Sequence, residues 1–147
     1  MVKNLQINVS VKCPIGKVGV HKAINILKKH HQVSIASLII NFVSPEQIKE
    51  INAEYLNHHY VTDIITFNYS GSNTDLDGEI FISPDEAAKN AKSYKIDFDN
   101  ELKRLVVHGF LHLLGFDDKT RREKLIMRNM ENQLLYRLNF TLLQANR

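Results

Sequence analysis

Apolar and polar positions alternate from Leu5 to Val11, and a strand is predicted there. Pro14-Ile-Gly16 interrupts the alternation as a turn. From Val18 to His31 the spacing becomes that of an amphipathic helix, with Val18, Ile24, Ile26 and Leu27 toward the core. Lys28, Lys29, His30 and His31 fall at its C-terminal end, where cations complement the helix dipole. Ser37 to Val43 reads as a buried strand. Ser44-Pro45-Glu46-Gln47 then starts a helix running to about Leu56, with a serine cap, proline at the first position and glutamine closing a capping box. Ile64 to Tyr69 is strand-like, Ser70 to Asp77 is a polar loop, and Gly78 to Ser83 is a further strand.

Ser83-Pro84-Asp85-Glu86 repeats the cap-and-proline signature and predicts a helix to about Tyr94. A helix over 101–114 follows, with Leu102, Leu105, Val106 and Leu113 as its core face. Thr120-Arg-Arg-Glu123 is another capping box. It opens a final helix to about Leu138 that carries Leu125, Ile126, Met130, Leu134 and Leu138. Four strands and about five helices in mixed order predict an α+β fold with one small mixed sheet. No repeat, low-complexity tract or linker divides the chain, so one domain over 1–147 is expected.

Composition narrows the class. Hydrophobic residues make up 44% and charged residues 24%, as in an ordinary soluble core with a solvated surface. No apolar run approaches the roughly 20 residues that span a bilayer, and no N-terminal apolar region suggests a secretory signal. Cys13 is the single cysteine, which excludes an internal disulfide and fits a reducing cytosol. The formal charge of +3 permits nucleic-acid contact without demanding it.

The chemistry concentrates in His108-Gly-Phe-Leu-His112-Leu-Leu-Gly115-Phe-Asp117-Asp118. Residues four apart share a helix face, so both imidazoles can reach one metal ion. With seven histidines in the chain, such a pair alone is a weak signal. Gly115 strengthens it, because a glycine there ends the helix and turns the chain back. Asp118 can then complete a three-ligand site with a fourth position open, with Asp117 as an alternative ligand or an outer partner. A carboxylate makes the site less electrophilic than a third histidine would and moves its preference toward harder metals. The residue after His108 is Gly109, where a peptidase of the His-Glu-x-x-His design needs its glutamate base, so that activity is disfavoured.

At these residues the chain resembles the YbeY family of endoribonucleases and ribosomal RNA maturation factors. Positions 108–117 fit the family's His-Gly-x-Leu-His-Leu-x-Gly-[Tyr/Phe]-Asp-His helix, and Asp118 departs from it. Thr62-Asp63-Ile64-Ile65-Thr66-Phe67, Gly78-Glu79-Ile80-Phe81-Ile82 with Pro84, and Met127 with Glu131 resemble further family segments in the same order. The resemblance implies a zincin-like α+β fold and metal-dependent cleavage of single-stranded RNA. It also implies a cytoplasmic role in maturing the 3′ end of the small-subunit RNA and in ribosome quality control, with RNA and the small subunit as partners. On that reading His108 and His112 are catalytic, and His108, His112 and Asp118 hold one zinc ion, with nickel or manganese as alternatives. A second departure is Leu56, which stands where the family has an arginine suited to steadying phosphate; His58 and His59 replace a lysine and an aspartate. These departures motivate a second reading, a non-catalytic ribosome-associated factor of the same fold; a third is a metallohydrolase of another substrate.

Basic residues recur at Lys89, Lys92 and Lys95, and again at Lys119, Arg121, Arg122, Lys124 and Arg128. They read either as solvated helix faces or as a positive rim for a phosphate backbone. Tyr60, Tyr69 and Phe116 are candidates for stacking on unpaired bases, with core packing the competing reading for Phe116.

Overall fold

In a computed structural model, which describes residues 1–144, the sequence patterns resolve into four strands and five helices. They run β1 (Leu5–Val9), α1 (Lys17–His31), β2 (Ser34–Phe42), α2 (Pro45–Leu56), β3 (Ile64–Asn68), β4 (Asp75–Ile82), α3 (Pro84–Tyr94), α4 (Phe98–Leu113) and α5 (Arg121–Leu135). The capping boxes at Ser44/Gln47 and Thr120/Glu123 both form, and the Ser83 hydroxyl accepts from the Glu86 amide.

The strands make one mixed sheet in the order β1-β2-β4-β3. β1 and β4 flank β2 in parallel, and β3 pairs antiparallel with β4 at the other edge. The strict alternation in β4 sends Leu76, Gly78, Ile80 and Ile82 to one buried face. Antiparallel register places Ile64, Thr66 and Asn68 of β3 on that same face, opposite Ile82, Ile80 and Gly78. α4 lies across this face. Ten of its sixteen residues are buried, Glu101 and Lys103 among them. α3 and α5 pack against α4, and α2 covers a smaller cluster of Val43, Ile48 and Ile65 on the opposite side of the sheet.

Two glycines set how closely α4 approaches the sheet. A Cβ on Gly78 would lie 2.5 Å from Leu113 Cδ2 and 2.7 Å from the Phe67 carbonyl oxygen. A Cβ on Gly109 would lie 2.9 Å from Ile80 Cδ1. Gly109 therefore faces the sheet, and a glutamate there would collide with Ile80 and Ile64.

Some expectations shift. β2 and β4 begin about three residues earlier than the apolar runs suggest, because Ser34 and Asp75 pair at the polar end of the sheet. Val18, expected toward the core, is exposed, and so are Leu125 and Ile126 of α5. α1 buries Val20, Ala23, Ile24 and Leu27, and α5 buries Met127, Glu131 and Leu134. α5 ends at Leu135, three residues short, although Leu138 is still buried.

Candidate metal centre

Gly115 adopts φ +100° just past the end of α4. Its amide donates to the His112 carbonyl and the Phe116 amide to the Leu111 carbonyl. This is the Schellman arrangement, which reverses the chain at little cost when the left-handed residue is glycine. The reversal carries Asp118 back over α4. His108 Nε2 and His112 Nε2 lie 3.0 Å apart, and Asp118 Oδ2 is 3.3 Å from the first and 3.5 Å from the second. Ligands ~2.0–2.1 Å from a tetrahedral ion stand roughly 3.3 Å from one another, so the three atoms match three corners of such a site. Among the described residues, this trio is the one group of three such donors that converges. Asp117 is exposed and not part of it.

The donor set also fits in its chemistry. Glu131 reaches from α5 to His108, with Oε2 2.6 Å from Nδ1. A carboxylate only accepts, so Nδ1 donates and the Nε2 lone pair is left facing His112 and Asp118, the tautomer a metal ligand needs. Glu131 is buried, and Arg104 approaches its other oxygen at 3.4 Å. Arg104 forks onto Glu101 through Nε at 2.8 Å and Nη2 at 2.6 Å. These bonds hold the guanidinium above its already high ordinary range, so it stays charged. Glu101 in turn accepts from Asn90, which also donates to Asp63 at 2.9 Å.

The trio forms one wall of a cleft of about 580 Å³. Edge strand β3 forms the facing wall with Ile64, Thr66 and Asn68, and Tyr60, Thr62 and Asp63 complete it. Asn68 ties the walls together by donating to the Leu113 carbonyl at 3.3 Å. Leu56 is exposed at the end of α2. His58 stacks on Tyr60 with ring centres 5.3 Å apart, and the Tyr60 hydroxyl meets His58 Nδ1 at 3.1 Å. His59, the three lysines of α3 and its C-cap, and the five basic residues from Lys119 to Arg128 are all exposed. Phe116 is also exposed.

Reasoning from sequence missed Arg104, Glu101 and Asn90. A signal was present: Glu101, Arg104, His108 and His112 follow one another at three- and four-residue spacing, a polar stripe on an otherwise apolar helix.

The fold and this cleft define an α+β protein with three donors that could hold a metal ion, two on its most buried helix and one from the turn that follows. Residues 2–139 match the family model Endoribonuclease YbeY, and the chain belongs to that family. It is 42% identical over 114 residues to Endoribonuclease YbeY of Christiangramia forsetii, spanning 78% of this chain and 76% of the relative. It is 34% identical to Endoribonuclease YbeY of Chlorobaculum tepidum over 134 residues, spanning 91% of this chain and 97% of the relative. The solution structure of TM1509 from Thermotoga maritima superposes with a TM-score of 0.65 at 26% identity, covering 91% of this chain and 88% of that one.

Proposed function

We propose that the chain is a metal-dependent endoribonuclease that cuts single-stranded RNA in small-subunit ribosomal RNA maturation and ribosome quality control, acting as one domain in the cytoplasm. Family membership supports the endoribonuclease activity. The observation that carries metal dependence is the charge of the cleft. Its lining holds two carboxylates, Asp63 and Asp118, and two imidazoles, with no lysine or arginine among the lining residues. Such a surface repels a phosphodiester, and a divalent cation reverses that balance.

His108, His112 and Asp118 would hold one zinc ion, with nickel or manganese as alternatives. When bound, such an ion supplies Lewis-acid stabilisation of charge developing on the phosphate. His108 and His112 are the catalytic residues in that sense, and Asp118 offsets part of the ion's charge. Thr66 and Asn68 present a hydroxyl and an amide to the ribose and phosphate from the facing wall. Tyr60, exposed and already stacked on His58, would extend that stack with an unpaired base. Lys119, Arg121, Arg122 and Lys124 lie just beyond Asp118, where the RNA backbone would leave the cleft. A short single-stranded RNA should be cut by the parent and not by His112→Ala, with a duplex of the same sequence spared. Equal cleavage by both proteins would overturn the assignment.

Leu56 favours a second reading, a non-catalytic ribosome-associated factor, because an aliphatic side chain cannot steady phosphate charge. On that reading the parent is inactive, and the paired changes Leu56→Arg and Asp118→His create cleavage. Activity in the parent rejects it.

A further inference from the structure

Six side chains form a continuous run of polar contacts behind the metal trio. From His108 it passes to Glu131 at 2.6 Å, to Arg104 at 3.4 Å, to Glu101 through two bonds of 2.6 and 2.8 Å, to Asn90 at 3.3 Å and to Asp63 at 2.9 Å. It starts on the helix wall of the cleft and ends on the opposite wall, since His108 and Asp63 both line it.

Glu101 and Glu131 are 0% and 1% exposed. Carboxylates this deep are costly, and apolar residues of the same volume would hold α4 and α5 together as well or better. Stability alone therefore does not account for them. What ions add is direction. A guanidinium forked onto one carboxylate has its plane fixed, so its remaining N–H groups point one way. Here they point at Glu131, and Glu131 has one oxygen left for His108 Nδ1. Arg104 itself does not line the cleft.

We propose that Arg104 is a positioning residue for the metal centre: through Glu131 it sets the imidazole of His108, and through Glu101 and Asn90 it steadies Asp63 across the cleft, so that the site is shaped before the ion arrives. This rests on the reading of the trio as a metal site.

The test measures zinc affinity of the full chain by competition with a chelator, and records the visible spectrum of the cobalt-loaded protein. Removing an outer-shell partner weakens metal binding about 10- to 100-fold in comparable sites. Arg104→Lys keeps the charge but loses the fork, and its zinc affinity should fall about tenfold. Glu131→Gln should fall at least as far, and the double variant should match Glu131→Gln, because both changes act through His108. The cobalt spectra of both variants should shift. Leu134→Ala, a cavity elsewhere on α5, should lower the melting temperature and leave zinc affinity unchanged. Arg104→Lys and Glu131→Gln that fold and bind zinc within twofold of the parent would overturn the inference. A parent that binds neither zinc, nickel nor manganese overturns the metal-site reading itself, a distinct result.

Discussion

Gly115 and Asp118 act as a pair. The glycine accepts a backbone angle that costs other residues ~1–2 kcal/mol, and the turn it makes delivers the carboxylate to two histidines on the preceding helix. Asp118→Asn keeps the shape and removes the charge, so zinc affinity should fall more steeply than for the outer partner Glu131→Gln. His31 lies outside this site and responds to pH through its burial. Burial, with repulsion from His30 added, pulls its imidazole below the ordinary range, and its Nε2 is buried without a hydrogen-bond partner. The unfolded chain takes up this proton near pH ~6.5, while the folded chain resists until lower pH. The contribution is therefore intact above that value and is lost as pH falls below it. Urea midpoints at pH 7.5 and 5.5 should differ less in His31→Phe than in the parent. An unchanged difference would show that His31 plays no part.

Among the elements, helix starts were legible where a side chain caps them; α4, whose Asp97 makes no side-chain cap bond, begins at Phe98, three residues before the expected 101. The caps at Ser44, Ser83 and Thr120 depend on local chemistry, which a sequence carries in full. Thr120→Ala should cost ~0.5–2 kcal/mol in a thermal melt. The apolar residues of α5 do not by themselves pick out its buried side, because its inward stripe contains a charge. Met127, Glu131 and Leu134 are buried, whereas Leu125 and Ile126, equally apolar, are exposed. Leu125→Ser should accordingly change stability by no more than ~0.5 kcal/mol. Close packing also lay beyond the sequence. Gly78 reads as an ordinary strand residue, yet it is the point where α4 meets β4. Gly78→Ala should cost ~1–3 kcal/mol, because the Phe67 carbonyl is backbone and cannot swing aside.

For the whole molecule, the α+β class followed from element order, and the convergence of His108, His112 and Asp118 followed from spacing plus one turn. The strand order β1-β2-β4-β3 did not, since it is decided by pairings between residues more than thirty positions apart. The buried run through Arg104 joins residues up to 27 positions apart on three helices and just before β3, so it too appears only once the elements have packed. A preformed site makes metal binding a stabilising event for the entire fold. Zinc at a hundred times its dissociation constant contributes ~2.7 kcal/mol. For a chain of this size that raises the melting temperature by roughly 5–10 °C, and the shift should vanish in His112→Ala.

The central claim is that this cleft cuts RNA only when His108, His112 and Asp118 hold a metal ion. The direct measurement is cleavage of a short single-stranded RNA by the purified chain, first stripped of metal by a chelator and then supplied with one equivalent of zinc, nickel or manganese. Loss of cleavage on stripping and recovery with at least one of these metals is the expected result. Full activity in the stripped protein, or no activity with any of the three, would contradict it.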